Sequence, residues 1–262
     1  MLGRTHMSIG AIGAVVTAPF FLHTAWEPMR QLVTGNWNAM PHVIVAQAAF
    51  VVAAIIGSAV VDLDQQNSLA ARKVERLGGI PIFVGMVALV LMLHQQTSLV
   101  AWMIALIMAF VFGTQRNIMR RVGLGVIGAG LLYTGLTNVI PISGAVVLTA
   151  WLVGAMFTTH RTFTHSLPGF FVFTVSVITV MEGAGITHWL DKYHVGVIAT
   201  VAPAGLLLGY FLHMLADMPT GGVPLFWPWG KRVGLHLIKT GGSWDHLIGG
   251  IALIGFLAFA IF

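Results

Sequence analysis

Seven residues in this chain have types and spacings suited to holding a divalent metal. His213 and Asp217 stand four apart in GYFLHMLADMPTGG. Four residues make about one helical turn, so both side chains share a face and offer two donors to one ion. Asp62 and Asp64 stand two apart in VVDLDQ. They can act together only where the backbone leaves α-helical geometry, one as a ligand while the other orients a ligand or serves as general base. His160 and His165 bracket Arg161 in THRTFTHSL, and His6 precedes the first apolar run. Arg161 is suited to clamping a phosphate or carboxylate. Together the groups supply more donors than the three or four of one catalytic zinc. The surplus implies either one ion with supporting residues or two ions, as in phosphoester hydrolysis.

Each cluster also has a plain structural reading. His213 and Asp217 can form an intrahelical pair before Pro219, the Asp-Leu-Asp can be a solvated helix end, and Arg161 can be an ordinary membrane-surface anchor. The clusters gain meaning from their setting. The chain has 262 residues, 57% hydrophobic and 8% charged, with a mean hydropathy of +0.90. Soluble domains are about 25% charged, so this is an all-helical polytopic membrane protein. Its apolar runs are continuous rather than alternating, which excludes a transmembrane barrel. Ionisable groups are costly at membrane depth and mark function there. Eleven histidines outnumber eight acidic residues, which favours metal or proton chemistry. With no cysteine, thiolate zinc sites and iron–sulfur clusters are excluded. The net charge of +5 comes from loop residues without interleaved aromatics, so nucleic acid is not expected as a partner.

A spanning helix needs about 20 apolar residues. The runs 7–23, 43–61, 79–94, 97–113, 122–140, 142–158, 166–182, 195–215 and 246–262 predict about nine spans in a single transmembrane domain, 1–262. The first run reads as an uncleaved helix, because Pro19, Phe20 and Phe21 stand where a small-residue cleavage site would be. With the N-terminus inside, the inner segments hold Arg4, Arg72, Lys73, Arg76, Arg116, Arg120, Arg121, Arg161, Lys231, Arg232 and Lys239, and the outer ones only Arg30 and Lys192. This bias predicts an N-in, C-out topology. It also puts all seven candidate ligands at cytoplasmic helix ends, although they played no part in choosing it.

Several other motifs carry less. Gly123, Gly125 and Gly128 fit a dinucleotide fingerprint, but no strand precedes them, and close helix packing is the better reading, as for Gly205 and Gly209. Trp227 and Trp229 read as an interfacial belt. Asp245 reads as a helix N-cap, with Asp245 and His246 as extra ligands the alternative. Arg72, Lys73, Glu75 and Arg76 read as a surface segment on anionic lipid.

The segments VVDLDQ, HRTFTHSL and GYFLHMLADMPTGGVPLFWP resemble the YdjM-like family of bacterial inner-membrane proteins, described as membrane-bound metal-dependent hydrolases. The resemblance rests on His6, Asp62, Asp64, His160, Arg161, Thr164, His165, Ser166, His213, Asp217, Thr220, Trp227 and Pro228 in that order. Val61 departs from the proline that often precedes the first aspartate. A fainter similarity is to zinc-dependent phospholipase C and P1-type nucleases, which points to phosphoester cleavage. The resemblance implies a bacterial inner-membrane location and a divalent metal, zinc first and manganese or magnesium as alternatives, as one or two ions.

The expected metal ligands are therefore His6, Asp62, Asp64, His160, His165, His213 and Asp217. Asp62, Asp64, His160 and Arg161 are the expected catalytic residues, and the substrate is a lipid or other amphiphilic phosphate at the inner leaflet. Two rivals use the same ligands: a metal-ion or proton transporter, disfavoured by the absence of a mid-span carboxylate, and a non-catalytic protein with a structural metal. Ligation needs unprotonated imidazole, so occupancy is expected to fall below about pH 6. The charge bias itself has a direct test: a topology reporter fused after Phe262 should read periplasmic, and a cytoplasmic reading would overturn the nine-span alternation.

Overall fold

The computed structural model describes residues 1–23, 26, 40–65, 68–193 and 195–261. Arg30, one of the two expected outer anchors, and Phe262 fall outside them. The described residues form helices α1 (Gly3–Leu22), α2 (Met40–Val60), α3 (Leu69–Met92), α4 (Leu99–Thr114), α5 (Arg116–Leu136), α6 (Ile142–Phe157), α7 (Leu167–Met181), α8 (Ala184–Lys192), α9 (Val197–Asp217) and α10 (Ser243–Ile261). Two short 3₁₀ turns, Val61–Asp64 and Phe163–His165, follow α2 and precede α7. No strand forms among these residues; Val223 and Val233 make one isolated antiparallel bridge.

Every apolar run becomes a helix, but not every helix is a full span. Among the described residues five are long and apolar enough to cross a membrane: α1, α2 with its 3₁₀ turn, α3, α9 and α10. Two bent pairs raise the number to seven if each pair is one span: α4 with α5, bent by 93°, and α7 with α8, bent by 58°. The apolar helix α6 has 16 residues. The expected nine exceeds this range because apolar composition finds a helix without fixing its length or straightness. Large apolar side chains such as Phe20, Ile80, Phe110, Phe171 and Ile254 stand on the outside of the bundle, as they must where hydrocarbon is the solvent.

Helices α1, α2, α9 and α10 pack as one group, while α3, α5, α6 and α7 form another. Ala14, Ala18, Phe50, Ala54 and Val201 fill the first interior. Val61, Leu124, Trp151, Phe173, Tyr210 and Met214 fill the second, directly beneath the two 3₁₀ turns. The closest pairing is α2 with α9. A Cβ at Gly209 would overlap the Ala54 carbonyl, and one at Gly57 would overlap the Leu206 carbonyl. Helices in lipid associate through such contacts because the hydrophobic effect gives them no net drive. Gly123, in the discounted dinucleotide pattern, lies against the Val74 carbonyl and so packs α5 on α3.

Gly209 sits one turn before His213, so the helix spacing it sets also positions that imidazole. Gly209→Ala should destabilise the protein by about 1–3 kcal/mol through overpacking, and should weaken metal binding as well. Thermal melting and metal content of the purified variant check both effects; an unchanged melt would refute the claim that α2 and α9 touch here.

Candidate metal centre

The start of α1, the end of α2, the α6–α7 turn and the end of α9 meet at one end of the bundle, and all seven expected ligands lie there. His6, Asp62, Asp64, His165, His213 and Asp217 are buried, while the His160 side chain is partly exposed. The 3₁₀ turn sends the two carboxylates of Asp62-Leu63-Asp64 to different partners. Asp62 Oδ1 lies 3.6 Å from both His165 Nε2 and His213 Nε2. Asp64 engages the α6–α7 turn instead, with its Oδ1 3.2 Å from His160 Nδ1 and its Oδ2 accepting from the Thr164 hydroxyl at 2.7 Å. One aspartate faces the donors, and the other orients them.

Hydrogen bonds fix how the two inner imidazoles point. His213 Nδ1 lies 2.6 Å from the Ser58 carbonyl. A carbonyl only accepts, so Nδ1 carries the hydrogen and Nε2 is left facing inward. His165 Nδ1 lies 3.0 Å from Thr164 Oγ1, whose proton goes to Asp64. This is a carboxylate relay of the kind that holds metal-ligating histidines in place. The two Nε2 atoms stand 3.2 Å apart, so a shared cation or proton is needed between them.

Asp217 completes the group. Its Oδ2 lies 3.6 Å from His165 Nε2 and 3.8 Å from His213 Nε2. Its Oδ1 lies 3.1 Å from Arg161 Nη2, 2.6 Å from the Met1 amino group and 3.3 Å from His6 Nε2. Arg161 thus reaches a ligand rather than open space, and also donates to Thr220 Oγ1 at 3.3 Å. It does so from a left-handed backbone, φ 59°. A Cβ at Gly221 would collide with its guanidinium, so glycine there is what admits the side chain. The His6 ring stacks on His213 with centroids 3.7 Å apart, and its Nδ1 is buried without a partner.

These atoms fit metal binding in two ways. His6, His213 and Asp217 form one three-donor group, and Asp62, His160 and His165 form another, with the donors of each within 4.8 Å of one another. Across the two groups, the Nε2 atoms of His165 and His213 stand 3.2 Å apart, and each lies 3.6 to 3.8 Å from Asp62 Oδ1 and Asp217 Oδ2. A tetrahedral ion about 2.0–2.2 Å from four donors spaces them about 3.3–3.6 Å apart. The same ligands can therefore hold two ions with open positions or enclose one.

Several supporting residues escape notice in the sequence. Arg120, counted only as an inner charge, is buried. It donates to the Leu63 carbonyl at 2.9 Å and to the Ala155 and Met156 carbonyls at 3.0 and 3.3 Å, tying the Asp-Leu-Asp turn to the unpaired carbonyl end of α6. Tyr210 donates to the Thr164 carbonyl. Trp227 packs on Phe163 with ring centroids 5.6 Å apart, whereas Trp229 is exposed as an interfacial residue should be. Asp245 is not an N-cap. It lies inside the first turn of α10 and accepts from the Leu2 and Gly241 N–H groups at 2.9 and 2.8 Å. Nothing in the sequence signals these long-range partners.

With the fold and the donor geometry in view, the match to known proteins is decisive at the level of family. Residues 1–262 match the family described as YdjM inner membrane protein. The chain belongs to the YdjM family of inner membrane proteins. It is 37% identical over 93 residues to Inner membrane protein YdjM of Escherichia coli (strain K12) and to its counterpart in Shigella flexneri. That stretch is 34% of this chain and 41% of each relative, so the aligned part spans less than half the length of those relatives. No solved structure matches. Family and helices together make this YdjM relative a multi-pass inner-membrane protein.

Burial pushes the His165 pKa down, but hydrogen bonds and charge from Asp62 and Asp64 outweigh it and hold the group at about 9. Below that pH, the metal-free His165 carries a proton that metal must displace. The pH 6 limit expected from free imidazole therefore moves upward. Zinc affinity should fall about tenfold per unit as pH drops from 9 to 6, with one proton released per ion bound at pH 7. Zinc titrations at several pH values, with proton release followed in weak buffer, check this; a flat affinity would refute it.

Proposed function

We propose that this chain is a metal-dependent hydrolase of phosphate esters, working at the cytoplasmic face of the membrane. The observation that carries the reading is the pair of three-donor groups beside a pocket into which Asp62 opens. Three protein ligands per ion is the catalytic count, since it leaves positions for water and substrate. Imidazole and carboxylate donors suit zinc first, then manganese, with magnesium less well served. A divalent ion held there lowers the pKa of a bound water and offsets charge on the attacked phosphorus.

The chain's own residues divide the remaining work. His213 is held by Ser58 and His165 by Thr164 and Asp64, so neither ring turns away from the centre. Arg161 engages one oxygen of Asp217 and leaves the other for the donors. His160, backed by Asp64, completes the second three-donor group. In the overall reaction the ester P–O bond breaks and a bond from phosphorus to the water oxygen forms. One water proton ends on the leaving alcohol, and the other stays on the phosphate product.

A second reading has its own support. The Nε2 atoms of His165 and His213, with Asp62 Oδ1 and Asp217 Oδ2 each within 3.8 Å of both, could together enclose a single structural ion. X-ray absorption on metal-loaded protein separates the two: the hydrolase reading expects two ions per chain with non-protein oxygen ligands, the structural reading one ion with four protein donors. His160→Gln removes one donor of the second group, so it should cost one of the two ions and phosphoester cleavage with it. A fully enclosed single ion, with no cleavage above the Asp217→Ala background, would sink the hydrolase reading.

A further inference from the structure

Two cavities adjoin the metal centre, and they differ in chemistry. One, of about 550 Å³, opens between the starts of α1 and α3 and the first turns of α10, with Arg4, Arg72, Gln65 and His246 in its lining and Asp62 at its inner end. The other, of about 450 Å³, lies between α2, α3, α5, α6 and α7 and is lined by apolar side chains such as Ile56, Leu131, Leu148 and Trp151, with Lys73 as its one charged residue. They share a wall. Leu69 borders both. Of two consecutive residues in the 3₁₀ turn, Asp62 faces the polar cavity and Leu63 the apolar one; at the start of α3, Arg72 faces the polar cavity and Lys73 the apolar one.

We propose that these cavities form one site for an amphiphile with a phosphate headgroup on a single hydrocarbon chain: the chain in the apolar cavity, the phosphate between Arg4 and Arg72, next to Asp62. Charge argues for the headgroup. Among the described residues Arg4, Arg72 and Lys73 make no ion pair, and three cations around one wall attract an anion. Arginine suits phosphate through its planar pairs of donors. With Arg161 engaged on Asp217, Arg4 and Arg72 are the guanidinium groups that line the same cavity as Asp62. Volume argues for one chain, since 450 Å³ falls in the lower half of the about 300–1,000 Å³ typical of small-ligand cavities. Cleavage of the bound ester rests on the hydrolase reading; binding itself does not.

The test uses hexadecylphosphonate, whose carbon–phosphorus bond resists hydrolysis, added to purified full-length protein in non-ionic detergent. It should bind saturably, and far more tightly than either inorganic phosphate or hexadecanol. Arg4→Gln with Arg72→Gln, both at exposed positions, should leave metal content unchanged and weaken binding about tenfold or more, as expected for lost charge-assisted hydrogen bonds. A bromine on the chain should quench tryptophan fluorescence in the parent and much less in Trp151→Phe, placing the chain in the apolar cavity. Should that variant fold poorly, Leu148→Phe, which narrows the same cavity, should cut phosphonate affinity without changing inorganic phosphate binding. Failure to bind, or binding indifferent to the two arginines, overturns the proposal even if soluble phosphoesters are cleaved. Binding as described, with no cleavage of hexadecyl phosphate by the metal-loaded protein, leaves the site standing and removes the hydrolase reading.

Discussion

Four aspartates are buried at one end of an apolar bundle, and the structure around them follows from the need to compensate their charge. A buried ion costs several kcal/mol after relaxation, so each carboxylate must recruit partners, and the partners come from distant helices. Asp64 takes Thr164 and His160 from the α6–α7 turn. Asp217 takes Arg161 from the same turn and the amino group before α1. Asp245 takes backbone N–H groups at Leu2 and Gly241. Asp62 has only the two imidazoles of His165 and His213 near its inner oxygen. Of the four it is the one that lines a cavity, where a cation can reach it.

This arrangement needs helix ends held to a fraction of an ångström, and the packing below supplies that. The glycine contacts of α2 with α9 bring the Ser58 carbonyl within reach of His213. Arg120 fixes the Asp-Leu-Asp turn against α6. Trp151 donates to the Gly169 carbonyl at 3.0 Å, and the Ser166 hydroxyl caps α7 by accepting from Gly169 N–H at 3.1 Å. The His160–His165 turn is thus held from its following helix as well as from Tyr210. A polar centre in a membrane protein is positioned here by van der Waals contact and carbonyl hydrogen bonds, since apolar burial gives little orientation in lipid.

Most of the candidate site was legible because its donor residues carry local signals. His213 and Asp217 declare a shared face by their spacing, and Asp62 and Asp64 declare a break in the helix. Charge bias alone put the clusters at one end, and the folded chain brings them together there. The division of labour within each pair was not legible: which aspartate faces inward depends on a 3₁₀ turn and on Thr164, which is 100 positions away from Asp64. Arg161 read as a substrate clamp because its partner, Asp217, is set by tertiary structure. Arg120 and Asp245 were hidden for the same reason. The helices were legible as apolar runs, but the 93° bend between α4 and α5 was not, since hydropathy averages over direction.

The tie between Asp245 and Leu2 spans 243 positions of sequence, nearly the whole chain, and its consequence lies in biosynthesis. A membrane protein emerges from the ribosome helix by helix, so α1 must wait in the bilayer, with His6 unpartnered, until α9 delivers Asp217 and α10 delivers Asp245. Long-range closure of this kind is slow and comes late. A nascent or prematurely ended chain therefore carries the early donors without the aspartates that complete the cluster, which closes only in a fully inserted molecule.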